Sequence, residues 1–225
     1  MNKHKTHSQC GNALWFILIG VALLASLTMV LTRSGSNIDQ SGDVEQQRVK
    51  ISQLLRSAKS IEAGIQQMQL RGISESDISF WNDSNNDGTE DNTDTYHNAN
   101  CTIDDCHIFN VGGAGLRFPE VPQGISDSSG WVFSGGNIVD DIGDNARADL
   151  IMILPQIRSS ICTQINRVLG KTFASPETNV DFTPFDGSYT LTQTIDLANG
   201  NEAGCIQYDT GSDIEPFFYY VLIKR

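Results

Sequence analysis

The chain has 225 residues, a formal net charge of −12 and a sequence pI of ≈ 4.6. Such an acidic surface repels nucleic acids and anionic lipid headgroups, which argues against either as a main partner. Roughly 190 residues follow the first apolar segment, which is enough for one domain with its own hydrophobic core.

The most apolar part of the chain is residues 12–32, NALWFILIGVALLASLTMVLT, which contain no charged residue. At about 1.5 Å rise per residue, a helix of this length approaches the thickness of the membrane hydrocarbon core. The segment therefore predicts a transmembrane helix. Lys3 and Lys5 precede it without any acidic residue. The positive-inside rule then predicts a cytoplasmic basic leader over residues 1–11.

The alternative interpretation of this segment is a cleaved secretory signal. The apolar core of a signal peptide is usually about 7–15 residues long and is followed by a small A-x-A-like site. The run in this chain is longer, and Leu-Thr-Arg-Ser follows it. An uncleaved or prepilin-like anchor is therefore favoured, with the rest of the chain outside the cytoplasm.

A hinge and an amphipathic helix are predicted next. Residues 33–42, RSGSNIDQSG, are polar and rich in glycine and serine, which indicates a hinge. Asp43 is a typical N-terminal cap, and apolar residues then recur at three- and four-residue steps as far as Met68. Arg71 and Gly72 form a typical helix end. We expect the apolar face to pack on the chain's own sheet, on neighbouring subunits, or on both.

The rest of the chain predicts a mainly antiparallel sheet with one inserted helix, and thus an α+β domain over residues 43–225. Residues 149–154 indicate a central buried strand, after which Pro155 fits the first position of a helix that Gly170 ends. Ala-Asn-Gly-Asn at 198–201 indicates a hairpin turn. The predicted strands are residues 78–81, 107–111, 131–134, 149–154, 189–197, 205–208 and 217–223.

The sharpest chemical motif is DSNNDGTEDNTD, residues 83–94. Its spacing follows an EF-hand-type calcium loop except at the last position, and Gly88 stands where that loop needs its turn glycine. Calcium takes six to eight hard oxygen ligands from a flexible turn. The candidate Ca²⁺ ligands are Asp83, Asn85, Asp87, Thr89 (through its carbonyl), Asp91 and Asp94.

Three features weaken the calcium interpretation. Position 12 is Asp94 rather than the bidentate glutamate, and position 8 is Glu90, where a hydrophobic residue normally anchors the loop. No helix clearly leads into or out of the segment. The alternative is a solvated loop rich in asparagine and aspartate. If calcium binds there, we expect its role to be structural.

Four of the five cysteines lie on the predicted outer side, and an even number there indicates two disulfides. Three pairings are possible, of which we favour Cys101–Cys106 with Cys162–Cys205. The runner-up is a zinc site, because the C-x4-C spacing lies within the known range and His97 and His107 flank it. Surface histidines remain the simpler interpretation of those two residues.

No catalytic motif stands out. The chain contains no G-x-S-x-G, H-E-x-x-H or Walker pattern. The glycine-rich segment 112–115 lacks the Lys-Ser/Thr of a phosphate-binding loop and does not open a helix. The sequence therefore predicts a non-enzymatic protein.

Four segments carry a family resemblance: GNALWFILIGVALLASL, QLRGISESDISF, CHIFNVGGAG and ICTQINRVLG. They occur in a layout of a short basic leader ending in Gly11, an apolar helix beginning at Asn12, an amphipathic helix and an acidic sheet-rich domain. In these respects the chain resembles type IV pilin-like proteins and pseudopilins, within an uncharacterised group of bacterial envelope proteins. The match touches most of the chain.

The resemblance implies cleavage and methylation by prepilin peptidase between Gly11 and Asn12. It also implies that the apolar helix contacts membrane lipid and pilin-like or secretion-machinery proteins, as in type IV pili and type II secretion. Most pilins carry glutamate at the fifth mature position, where it neutralises the N-terminal amine of a neighbouring subunit. Phe16 stands there in this chain. That departure points to a minor component rather than a bulk filament subunit.

Together these features predict a single-pass protein of the bacterial inner membrane, with its C-terminal domain in the periplasm or outside the cell. The predicted function is that of a non-enzymatic structural or assembly component. The alternative is an anchored binding or adhesive ectodomain, stabilised by calcium and neither processed nor assembled.

Overall fold

The computed structural model describes residues 12–83, 88–127, 130–173, 176–177, 179–190 and 193–225. Within these ranges, side chains are described everywhere except at residues 12–14 and 31–43. The chain divides into two compact units, Met1–Gln46 and Gln47–Arg225. This division lies close to the predicted boundary between residues 42 and 43.

The first helix, α1, is Asn12–Leu70, and its residues belong to both units. Its backbone is helical across residues 33–42, where the composition predicts a hinge. A glycine inside a helix costs only about 1 kcal/mol relative to alanine, so two glycines need not interrupt one. After α1, Gly72 adopts a positive φ of 92°, in agreement with the predicted helix end.

The structure contradicts the predicted transmembrane helix over residues 12–32. Among the described residues, no helix combines the length and the apolar character that crossing a membrane requires. The predicted single-pass location in the bacterial inner membrane is wrong for the same reason.

The second unit contains a mixed five-stranded sheet with the strand order β3-β1-β2-β5-β4. Three strand pairings are antiparallel, whereas β3 runs parallel to β1. The sheet is therefore mixed, with antiparallel pairings in the majority. The strands are β1 Val132–Val139, β2 Asp149–Leu154, β3 Gln193–Ile195, β4 Ala203–Asp209 and β5 Ile214–Ile223.

Strand β2 is buried along its whole length, which confirms the prediction of a central strand at 149–154. Alternate side chains of a strand point to opposite faces of its sheet. Leu150, Met152 and Leu154 accordingly join a core that includes the inner stripe of α1 from Ile51 onward. Ile151 and Ile153 belong to a second core on the other face. Burial on both faces explains the continuous apolar run.

The second helix, α2, is Ser159–Leu169 and ends at Gly170, whose φ of 68° is left-handed as predicted. The prediction that Pro155 opens this helix is wrong. Gln156 has a positive φ of 53°, and the amide of Ile157 donates to the carbonyl of Pro216 at 2.8 Å. This kinked segment returns to the sheet before α2 begins.

The predicted hairpin through residues 198–201 is also wrong. Strand β3 pairs with β1, and the 3-10 helix Asp196–Ala198 follows it directly. Strand β4 pairs instead with β5. Thr210 and Asp213 close this second hairpin, because the amide of Thr210 donates to the carbonyl of Asp213 at 2.9 Å. The turn signal at residues 198–201 therefore did not decide which strands pair.

Candidate functional site

Two features of the described chain are candidates for function, and the first is the apolar segment of α1 at residues 15–30. Its large apolar side chains are between 41% and 67% exposed. The exposed side chains are Trp15, Phe16, Ile17, Leu18, Ile19, Val21, Leu23, Leu24, Leu27, Met29 and Val30. Phe16 is among these exposed apolar residues.

The polar side chains of this segment are satisfied within the helix itself. The hydroxyl of Ser26 donates to the carbonyl of Leu23 at 2.8 Å. The hydroxyl of Thr28 donates to the carbonyl of Leu24 at 2.9 Å. The segment therefore offers a surface of mainly apolar atoms, and exposed apolar surfaces of this kind mark interaction sites.

The predicted processing site lies next to this segment. Gly11 lies outside the described residues, and Asn12 is the first residue of α1. Cleavage between them stays a prediction.

Part of the predicted calcium loop can be placed, although Asn85 and Asp87 lie outside the described residues. The amide of Gly88 donates to Oδ1 of Asp83 at 3.1 Å. Gly88 has a positive φ of 77°, the conformation that favours glycine at the predicted turn position. Thr89, the carbonyl ligand predicted next, is exposed.

The acidic end of the loop is held mostly by internal hydrogen bonds. Oδ1 of Asp91 accepts from the hydroxyl and the amide of Thr93, at 2.6 and 2.7 Å, and these bonds lower the pKa of Asp91. Oδ2 of Asp94 accepts from the indole of Trp81 at 2.9 Å and the amide of Asp91 at 3.0 Å. Oδ1 of Asp94 is buried and has no hydrogen-bond partner among the described residues. One of the predicted oxygens is thus available, and calcium binding stays a prediction.

The second feature is a buried polar cluster around Glu90, which occupies position 8 of that loop. Its side chain is only 13% exposed. Oε1 accepts a hydrogen bond from the amide of Asn98 at 2.9 Å and lies 3.4 Å from Nδ1 of His97. Oε2 lies 3.4 Å from Nε2 of His107. The carboxylate therefore turns inward, as the usual hydrophobic anchor would, but contacts polar groups.

His107 connects this carboxylate to the first disulfide. The residue is only 7% exposed, and its Nε2 lies 3.4 Å from Sγ of Cys101. Cys101 is bonded to Cys106, with a Cα–Cα distance of 5.6 Å. One ligand atom from each of these three residues lies within 4.8 Å of the others. The indole of Trp81 covers the imidazole, with ring centroids 5.6 Å apart.

Backbone hydrogen bonds fix the position of His107. The segments predicted as strands 78–81 and 107–111 meet only in an isolated parallel bridge between Ser79 and His107. The amide of Ser79 donates to the carbonyl of Cys106 at 2.9 Å. The amide of Ile108 donates to the carbonyl of Ser79 at 3.0 Å. This bridge helps to hold the disulfide and the imidazole in place.

The glycine-rich loop packs directly against this bridge. A Cβ atom added at Gly113 would lie 1.8 Å from the carbonyl oxygen of His107, so only glycine fits there. The guanidinium of Arg71 donates to the carbonyls of Gly112 and Gly113 and ties the loop to the end of α1. This loop serves packing and does not resemble a phosphate site.

The second disulfide joins Cys162 on α2 to Cys205 on β4. Asn166 reinforces this joint, because its side-chain amide donates to the carbonyl of Cys205 at 2.6 Å and accepts from the amide of Cys205 at 2.8 Å. Both disulfides follow the pairing that the sequence favours. Two disulfides are typical of proteins that fold in an oxidising compartment outside the cytoplasm.

Sequence reasoning did not identify Glu90, Trp81 and Ser79 as parts of one cluster. The sequence signal for this cluster was Glu90 itself, because a hydrophobic residue normally occupies that position of the loop. The contacts themselves join residues 79, 90 and 107, and their proximity depends on the tertiary fold.

A surface groove of ≈ 560 Å³ lies between α1 and residues 116–123. Its charged side chains are Arg117 and Glu120, and no histidine or cysteine lines it among the described residues. The groove therefore brings together no Ser–His or Cys–His pair of the kind that nucleophilic catalysis uses.

Comparison with known proteins adds no family. No protein-family model, no curated protein and no solved structure matches the chain. The resemblance to pilin-like proteins stays a prediction, and function has to be argued from the two features above.

Proposed function

We propose that the protein is a non-enzymatic, pilin-like structural or assembly component that associates through the apolar segment of α1. The observation that supports this proposal is the exposure of large apolar side chains over residues 15–30. Burying a leucine, valine or phenylalanine side chain stabilises an assembly by about 1.5–3 kcal/mol, so association of such segments has a strong driving force.

The occupant of this apolar surface is the same segment of another copy of the chain. Helices with exposed apolar side chains pack side by side when those side chains interdigitate. A non-enzymatic role agrees with the chemistry of the folded unit. Cys101, which contacts a histidine, is bonded to Cys106 and has no free thiol to act as a nucleophile.

Assembly is tested by placing charges within the apolar segment of the full chain. Leu23 and Leu27 are 63% and 60% exposed and lie one helical turn apart. We expect Leu23→Lys with Leu27→Lys to raise the dissociation constant of association at least about tenfold, because each lysine would be desolvated on assembly. Sedimentation velocity over a range of protein concentrations measures this change.

The matched control places two lysines on exposed apolar residues of the second unit. Val168 and Ile214 are each 50% exposed. Val168→Lys with Ile214→Lys should leave association unchanged. Equal effects of the two double variants, or a native chain that stays monomeric, would contradict the proposal. A monomer would favour the alternative of a binding or adhesive domain that does not assemble.

The pilin-like part of the proposal includes removal of residues 1–11 before assembly. N-terminal peptide mass spectrometry on the protein from its native cells tests it. A chain that starts at Asn12, particularly an N-methylated one, supports processing by prepilin peptidase. A chain that retains residues 1–11 contradicts the pilin-like pathway, whereas the assembly experiment tests association independently.

A further inference from the structure

We propose that Cys101, Cys106 and His107 form a redox-gated site for a thiophilic divalent cation of the Zn²⁺ type. In the oxidised chain the two sulfurs are joined, and in the reduced chain the same sulfurs become thiolate ligands. The proposal does not depend on the assembly function and concerns the other candidate feature of the chain.

The positions of the ligand atoms support this site. Tetrahedral zinc with Zn–S of about 2.3 Å and Zn–N of about 2.0 Å places sulfur and nitrogen about 3.5 Å apart. Sγ of Cys101 and Nε2 of His107 are 3.4 Å apart, and the ligand atom of Cys106 lies in the same group. After reduction, rotation about χ1 of either cysteine separates the sulfurs to the roughly 3.8 Å that zinc needs.

Burial and the surrounding groups also favour a metal. Cys106 is 1% exposed and His107 is 7% exposed, whereas Cys101 is half-buried, so two of the three ligands are shielded from water. Three protein ligands leave one position of a tetrahedral ion open, and Oε2 of Glu90 lies 3.4 Å from the same Nε2. A carboxylate at that place either completes the coordination or orders a metal-bound water. Calcium, which prefers oxygen ligands, is not expected at this sulfur site.

The chemistry balances when a dithiol reductant is the co-reactant. The reductant transfers two electrons and two protons to the Cys101–Cys106 disulfide, which yields two thiols and the disulfide of the reductant. The two thiols then each lose one proton as the divalent cation binds, and the neutral imidazole of His107 donates its Nε2 lone pair. Metal binding needs no oxidant. After metal release, the disulfide form of the reductant accepts two electrons and two protons from the thiols of Cys101 and Cys106, which restores the Cys101–Cys106 disulfide and the dithiol.

The second disulfide provides an internal control in the native chain. In the experiment, the full chain is reduced with a dithiol and alkylated with or without Zn²⁺. Mass spectrometry then measures the alkylation rate at each cysteine. We expect Zn²⁺ to slow alkylation of Cys101 and Cys106 at least about tenfold, while Cys162 and Cys205 react at unchanged rates. Equal protection of both pairs, or protection of neither, would overturn the proposal.

Variants identify the ligands. Absorption spectroscopy with Co²⁺ in place of Zn²⁺ reports tetrahedral sulfur coordination directly. Glu90→Gln should weaken Co²⁺ binding by about 10- to 100-fold, as loss of groups around a metal site generally does. His107→Gln should weaken it further. His97→Gln is the matched control, because that ring contacts Glu90 rather than the sulfurs. Unchanged affinity in His107→Gln would contradict the assignment.

Discussion

Asp149 is a buried carboxylate at the start of the central strand β2, and its environment determines a pH effect. Its Oδ2 accepts from the amide of Val139 and its Oδ1 from the amide of Arg225, each at 2.9 Å. Desolvation by burial nevertheless raises the pKa of Asp149, against the lowering effect of these two hydrogen bonds. The folded chain thus binds a proton at this site more tightly than the unfolded chain does.

We predict that Asp149 makes the folded state less stable as pH rises above the ordinary aspartate pKa. Because the folded pKa is the higher one, unfolding releases a proton in this window, and stability falls by about 1.4 kcal/mol for every pH unit between the two pKa values. Urea unfolding of the native chain and of Asp149→Asn, between about pH 3 and 7, measures the difference.

The difference in unfolding free energy, native minus Asp149→Asn, should become smaller as pH rises. Other titrating groups are common to both proteins and largely cancel in this difference. A difference that stays flat, or grows with pH, would show that the two backbone hydrogen bonds outweigh desolvation at this carboxylate.

At the scale of elements, the joint between α2 and β4 carries both a disulfide and the paired hydrogen bonds of Asn166. Cys162 and Cys205 are separated by 43 residues, whereas Cys101 and Cys106 are separated by only 5. In the chain-entropy account, a disulfide that closes a longer loop removes more conformational freedom from the unfolded chain.

We therefore predict that the two disulfides differ in their effect on stability. Replacing Cys162 and Cys205 by serine should lower the free energy of unfolding by about 4 kcal/mol, and replacing Cys101 and Cys106 by about 2 kcal/mol. Both variants carry Cys10→Ser, and urea unfolding compares them. The reverse order would mean that contacts around the shorter loop outweigh the entropy of the longer one.

Of the elements of this chain, the loop at residues 83–94 is the one for which the spacing of possible ligands most directly predicts a metal, Ca²⁺. If Ca²⁺ binds only the folded chain, a concentration 100 times its Kd stabilises the fold by about 2.7 kcal/mol. We predict that Ca²⁺ raises the thermal midpoint and that Asp94→Ala abolishes the increase. Scanning calorimetry with Ca²⁺ or a chelator measures it.

Asp127, an exposed aspartate outside the loop, provides the control for this experiment. Asp127→Asn should respond to Ca²⁺ as the native chain does. A native midpoint that is the same in Ca²⁺ and in chelator would leave the segment as a solvated loop, held by its own side-chain hydrogen bonds.

At the scale of the whole molecule, charge opposes the proposed assembly while the apolar segment favours it. Each copy carries a formal net charge of −12, so neighbouring copies repel one another. Salt shortens the range of this repulsion, since the Debye length falls from about 30 Å at 0.01 M to about 8 Å at 0.15 M.

We predict that association of the full chain strengthens as ionic strength rises between these values. Sedimentation velocity at the two salt concentrations measures the change. Leu23→Lys with Leu27→Lys should remain largely monomeric at both concentrations. Association that weakens with added salt would indicate ion pairs rather than apolar contacts as the main attraction.

Local patterns in the sequence were sufficient where one local cause dominates. The amphipathic stripe predicts the part of α1 that enters the core, the continuous apolar run predicts β2, and Gly170 predicts the end of α2. The favoured disulfide pairing is also the observed one. For the helix stripe, the strand and the helix end, side chains within a few residues of one another determine the outcome.

Only the tertiary structure decided the features that depend on distant residues. Strand β3 pairs in parallel with β1 despite a hairpin signal, since the free energy of the whole sheet outweighs one turn. Glu90 meets His97, His107 and Ser79 because folding brings remote segments together. Apolar composition predicted a membrane span over residues 12–32, whereas no helix among the described residues is long and apolar enough to cross a membrane. The sequence by itself thus determined the helical periodicity, the helix ends and the buried apolar strand. The strand pairing, the burial of charged groups and the polar cluster depended on the tertiary structure, because their energies come from contacts between residues that are far apart in sequence.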